Sequence, residues 1–190
     1  MPMSQHSSVA ALPARQRILV TAHDLFYRHG IRATGIDRVI AESGVTKVTF
    51  YRHFPSKAEL IHVYLDYRHQ LWIDWFRGSL VRHGAAKFGT MALLPTLKEW
   101  FGDERFRGCA FINAAVELGT TDSTVIDVCR RHREEMVDVI ATTLPIEAQR
   151  LSIAHTIALA VDGAVVHVQL GMPVETVLTN LGEILAALLA

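Results

Sequence analysis

Residues 34–57 read TGIDRVIAESGVTKVTFYRHFPSK, and this stretch decides the fold. Ile36, Val39 and Ile40 begin one short helix. Gly44 can take the left-handed geometry that ends it. Thr46 can cap a second helix carrying Val48, Phe50 and Tyr51, which Pro55 closes. Two short helices meeting at the turn Ser43–Thr46 can set the second one in the major groove of a duplex while the first crosses the backbone. Val48 and Tyr51, three apart, together with Phe54, are expected to form the inner face of the second helix. Lys47, Thr49, Arg52 and His53 are then left pointing outward. Lys and Arg suit phosphate or guanine, and a Thr suits a base edge or the thymine methyl.

Helical periodicity continues on both sides. Ile18, Ala22, Leu25 and Phe26 make one stripe that Gly30 stops. Ser56 and Glu59 form an S-x-x-E capping box for a long helix over 56–80. A glycine-bearing loop is expected from His83 to Thr90. Helices are expected over 91–101, 108–118, 122–142, 147–170 and 174–189, punctuated by Gly102, Gly119, Pro145, Gly171 and Pro173. No run alternates with period two and no internal repeat stands out. The fold class expected is all-α with about nine helices. The domains expected are a leader over 1–13, a helix-turn-helix domain over 14–57 and a ligand-binding and dimerisation domain over 58–190.

Charge follows the same division. Of the chain's 190 residues, 19 are Lys or Arg and 19 are Asp or Glu, a formal net charge of zero. Residues 1–57 carry eight basic against three acidic residues, a net of +5, so residues 58–190 carry 11 against 16, a net of −5. This asymmetry suggests a module for a polyanion joined to a module with another task. Arg38, at the start of the first short helix, and Lys57, in the first turn of the long helix, suit phosphates. Thr34 and Thr46 stand beside them, and Tyr51 can place its hydroxyl on a phosphate while its ring faces inward.

These residues resemble the TetR family of one-component transcriptional regulators. The match lies in Leu25-Phe26, Gly30, Thr34, Ile36, Gly44-Val45-Thr46, Phe50-Tyr51, His53-Phe54, Ser56-Lys57 and Leu60, within about 14–65. The resemblance implies a homodimer on a pseudo-palindromic double-stranded DNA operator, acting as a repressor released by a small-molecule effector. It further implies phosphate contacts by Thr34, Tyr51 and Lys57, and base reading by the helix from Lys47 to His53. Gly35 departs from the pattern where a second Thr or Ser is common, as do Ile40 and Ser43 where alanines are common. Further on, Arg107-Gly108-Cys109, Phe111-Ile112-Asn113-Ala114-Ala115 and Glu117 look like a motif in one branch of the family's C-terminal domains.

The effector pocket expected from the residues is walled by Trp72, Trp75, Phe76, Trp100 and Phe106, with Cys109, Asn113, Glu117, His155 and Asp162 supplying polarity. The last two helices are rich in Ala, Val, Leu and Gly, and would pair with their copies in a second subunit. Two alternative sensors are weighed. One is a thiol sensor at Cys109 with Arg105 and Arg107 nearby. The other is a metal held by His62, Asp66 and His69. There is no Gly-rich phosphate loop, G-x-S-x-G elbow or metalloprotease helix motif, so no enzyme is expected, nor any cofactor. Cys109 and Cys129 make no disulfide framework. No stretch is expected to reach the ~18 apolar residues of a membrane span, and a cytoplasmic location is expected.

Overall fold

The computed structural model describes residues 11–145 and 149–190. Most of the predicted leader (1–13) and the first residues of the predicted 147–170 helix lie outside the described residues. Among the described residues no strand occurs, and the class is all-α as the sequence implies. The helices of seven residues or more among the described residues are α1 (Ala14–His29), α2 (Ile36–Ser43), α3 (Lys47–His53), α4 (Lys57–Arg82), α6 (Leu93–Phe101), α7 (Ala110–Leu118), α8 (Ser123–Ala141), α9 (Arg150–Gln169) and α10 (Val174–Leu189). Between α4 and α6 the expected loop is instead a one-turn helix, α5 (Ala85–Phe88), running into a 3-10 turn at Gly89–Ala92. Gly84 and Gly89, both at positive φ, bracket α5, a conformation that glycine adopts without a Cβ penalty.

The chain divides into two compact units. Of the described residues, one contains 11–70 and 110–129, and the other contains 71–109, 130–145 and 149–190. Helix α4 therefore contributes residues to both. In the first unit, α1 buries Ile18, Ala22, Leu25 and Phe26, the stripe that its periodicity announces. Phe26 meets Tyr64 edge-on at 5.3 Å. Arg68 is buried too, its guanidinium 4.1 Å above the Tyr27 ring. In the second unit, α9 packs along α10 through Ala154, Ile157, Ala158, Val161 and Val165 on one side and Val177, Leu178, Leu181 and Leu185 on the other.

Helix α9 corrects one expectation from the sequence. By length and composition it is apolar enough to cross a bilayer, with a mean hydropathy of 1.6. Its buried face accounts for only a third of that window. The exposed residues Leu151, Ser152, His155, Thr156, Leu159, Gly163, Val166 and His167 include no Lys, Arg, Asp or Glu, while Ile153, Ala160, Asp162 and Val168 are half-buried. High hydropathy here comes from two apolar faces on one helix. The charged Asp162, three residues after Leu159 and half-buried, is engaged by Arg133.

Candidate nucleic-acid interface

The α2–α3 pair is built by local rules. Helix α2 starts from Gly35, which offers no side-chain cap, and ends at Gly44 with φ 63° and ψ 35°. That left-handed residue turns the chain within three residues into α3. The Thr46 hydroxyl caps α3 by accepting the Thr49 N–H at 3.2 Å, and the two hydroxyls lie 2.9 Å apart. Helix α4 begins in the same way, the Ser56 hydroxyl accepting the Glu59 N–H at 3.1 Å.

The rotation of α3 differs from the expected one. Phe50 and Phe54 are fully buried, whereas Val48 is 78% and Tyr51 41% exposed. The inner face therefore runs i, i+4 through the two phenylalanines, not through Val48 and Tyr51. The Tyr51 ring leans edge-on against Phe50 at 5.2 Å, and Arg15 of α1 sits over Phe54 at 5.2 Å. The outer face presents Lys47, Val48, Tyr51 and Arg52, with Thr49 and His53 half-buried at its edges. Val48 is the member of this face that sequence reasoning missed, having assigned it to the core.

The flanking candidates separate by environment. Arg38 is exposed, paired with Glu42 at 2.8 Å and 3.2 Å from His29 Nε2. Lys47 stands 3.9 Å from Asp37 in an exposed pair. Surface pairs of this kind are worth little, so both cations can exchange their partners for phosphates. Lys57 is half-buried, and burial lowers its pKa while the Glu117 carboxylate works the other way. Thr34 is fully buried and its hydroxyl donates to the Gly30 carbonyl at 2.8 Å. Its side chain braces the turn before α2.

The candidate pocket residues are partly brought together. Trp72 stacks on Phe76 at 4.7 Å and meets Trp100 edge-on at 5.4 Å, while Trp100 meets Phe106 at 5.4 Å and Trp75 at 6.2 Å. Trp72 Nε1 and the Thr96 hydroxyl are buried without a hydrogen-bond partner among the described residues. Glu99 gathers donors from Trp75 (3.1 Å), Ser79 (3.0 Å), Arg82 (2.9 Å) and His83 (3.0 Å). Burial alone would raise its pKa, but these hydrogen bonds outweigh burial and lower it to about 2. Asp162 pairs with Arg133, and burial nevertheless pushes its carboxyl up. Two expected pocket residues lie elsewhere. His155 is exposed on α9. Glu117 binds the turn between α1 and α2, accepting the Arg32 backbone N–H at 2.7 Å. Asn113 belongs to the same unit as Glu117, whereas Cys109 belongs to the unit of the tryptophans.

The alternative sensors lose their geometry. His62 turns to Thr124 (2.9 Å) and Asp122 (3.5 Å), while His69 is buried against Phe111. Among the described residues no three His, Cys, Asp or Glu side chains could hold a metal together. Cys109 is buried. Arg105 is held by Asp103 at 3.1 Å, and Arg107 donates to the Glu104 and Phe106 carbonyls. A thiol packed away from solvent in this manner is a poor nucleophile.

Residues 18–64 match the family model described as bacterial regulatory proteins, tetR family. The chain is 30% identical to SCO4454, a TetR-family transcriptional regulator from Streptomyces coelicolor, with a TM-score of 0.79 over 93% of this chain and 90% of that one. The fold also resembles CifR, a TetR-family regulator whose cysteine mutant is solved with a 26-base-pair operator (20% identity, TM-score 0.76, 93% and 97% coverage). It further resembles the multidrug-binding protein EbrR, solved with malachite green (19% identity, TM-score 0.70, 93% and 98% coverage).

Proposed function

The chain belongs to the TetR family of DNA-binding transcriptional regulators, and on that premise we propose that it is a repressor that binds a pseudo-palindromic operator as a homodimer and leaves it when a small molecule binds. Residues 14–57 carry the DNA-reading helices, and residues 58–190 carry the effector site and the dimer contact. The observation that carries this reading is the outer face of α3, where Lys47, Val48, Tyr51 and Arg52 stand exposed together on a helix anchored by two buried phenylalanines. Arg52 suits a guanine edge and Val48 a thymine methyl. Lys47, Arg38, Lys57 and Tyr51 suit phosphates, with Thr46, Thr49 and His53 at the margin of the contact.

The uncharged exposed arc of α9 supports self-association. A face of Leu151, Leu159 and Val166 with only hydroxyls, histidines and glycine between them suits a four-helix contact with the α9 and α10 of a second copy. The aromatic group around Trp72 and Trp100 supports an apolar effector. The unpartnered Trp72 N–H and Thr96 hydroxyl favour one that brings a hydrogen-bond acceptor. Helix α4, unbroken from Lys57 to Arg82, is the lever of the mechanism. Effector binding tilts it, and the two α3 helices lose the ~34–36 Å spacing of successive major grooves. A location in the cytoplasm, where operator DNA is, accords with this role.

Selection of bound duplexes from random sequence tests the reading. Two inverted half-sites are expected, with centres about one helical turn apart or a multiple of it. Recovery of no preferred sequence would refute it.

A further inference from the structure

Helix α7 reaches the turn that leads into α2 through the Glu117 carboxylate. Glu117 lies in its last turn, and Arg32, whose backbone N–H it accepts at 2.7 Å, lies in the turn joining α1 to α2. A Cβ at Gly30 would stand 3.3 Å from Glu117 Oε1, and Gly30 holds φ +88°. Glycine at that position both permits the turn and leaves the space the carboxylate occupies. The ammonium of Lys57, the first residue of α4, feels the same carboxylate as a favourable charge. One side chain thus meets the turn that sets α1 against α2 and the helix start that carries a candidate phosphate contact. Thr34 completes the arrangement, its buried hydroxyl holding the Gly30 carbonyl at 2.8 Å from the other side of the same turn.

We infer that Glu117 is a positioning residue, the latch through which α7 holds the turn between α1 and α2. A displacement of α7 is then felt by the DNA-reading helices, and operator binding is felt by α7, because coupling between two sites is reciprocal. The inference rests on the DNA-binding reading above. It assigns the link to the hydrogen bond with Arg32, the charge on Lys57 being secondary.

Reciprocity allows a test without knowledge of the effector. Amide hydrogen exchange of the full-length protein is followed with and without an operator duplex obtained by selection. In the wild type the operator should slow exchange in α3 and also in α7, the latter about fivefold, the scale of one hydrogen bond. In Glu117→Ala the protection of α3 should remain and that of α7 should vanish. Glu117→Gln keeps an oxygen for the Arg32 N–H and should restore it. If Glu117→Ala does not fold, Glu117→Asp draws the carboxylate back by one methylene and should show the same loss. An α7 that ignores the operator in the wild type overturns the latch, as does an α7 response that survives in Glu117→Ala or fails in Glu117→Gln. An α3 that no duplex protects overturns the DNA-binding reading itself.

Discussion

Val48 gives the sharpest test of how α3 is turned. It keeps 78% of its surface exposed at the start of the helix, between Lys47 and Thr49. The N-terminal residues of such a helix meet base edges, and the apolar group that the major groove offers is the thymine methyl. Burying a whole valine side chain is worth ~1.5–3 kcal/mol. A methyl group covering about half of the exposed surface would contribute ~0.6–1.2 kcal/mol, or roughly 3–8-fold in affinity. The assay replaces each thymine of the selected operator in turn by deoxyuridine, which lacks only that methyl. Affinities of the wild type and Val48→Ala are measured at one fixed salt concentration, since affinity for DNA falls steeply with salt. At one position in each half-site the replacement should weaken the wild type by this factor and leave Val48→Ala unaffected. If every replacement acts on both proteins alike, Val48 does not read a methyl, and the exposed face of α3 is not the face that meets the bases.

Other substitutions probe other parts. Lys57→Ala should weaken binding to all duplexes alike and make the salt slope shallower by ~0.9 for each half-site, as loss of one phosphate contact requires; an unchanged slope would remove Lys57 from the interface. Glu99→Gln should cost ~1–2 kcal/mol in urea unfolding at pH 7, a figure discounted because the carboxylate is 30% exposed. Because the folded pKa is depressed to about 2 from 4.5, this stabilisation is fully present above pH 4.5 and fades as pH falls toward 2. A deficit of equal size at pH 3 and pH 7 would contradict the network. Leu159→Glu, on the exposed arc of α9 where Leu159 is 73% exposed, should convert dimer to monomer in sedimentation and abolish operator binding with little change in helix content. A variant that remains dimeric would place the interface elsewhere.

What the residues announce on their own is whatever short-range chemistry decides. Gly44, Thr46, Ser56 and Pro173 act on neighbours within four residues, and the observed starts of α3, α4 and α10 fall within a residue of where they point. The phase of α3 is another matter. Apolar residues stand at 48, 50, 51 and 54, so the pairs 48/51 and 50/54 both satisfy helical spacing. Packing of Phe50 and Phe54 in the first unit settles which is used, and seven residues are too few for periodicity to settle it. Glu117 could not be placed for a related reason. A lone acid on the apolar stretch 110–118 suggests a buried polar group in a pocket, whereas its partner amide lies 85 positions earlier in the chain. His62 likewise finds Thr124, 62 positions away, which no i, i+4, i+7 pattern on its own helix could reveal. Helix α9 misleads in the opposite sense, since composition averages over two faces that the structure separates.

Exposed apolar surface takes its meaning from the charge around it. Val48 is isolated, with Lys47 before it and Arg52 one turn on, and a patch of that kind has no affinity for another copy of itself because the cations repel. It suits a partner that is anionic overall and carries small apolar groups at fixed intervals, which describes the major groove. The arc of α9 is the reverse case. Around Leu151, Leu159 and Val166 the nearest acid along the helix, Asp162, is half-buried and paired with Arg133, so little opposes contact between like surfaces, and a two-fold axis satisfies both copies at once. The net charges of the two parts, +5 over residues 1–57 and −5 over 58–190, reinforce this assignment. The acidic part is repelled by the phosphates that attract the basic part, so the proposed placing of the duplex at α3 and of a second copy at α9 accords with the charges. A net charge of zero is therefore what this division of labour produces, and the distribution of charge along the chain, more than its sum, carries the functional information.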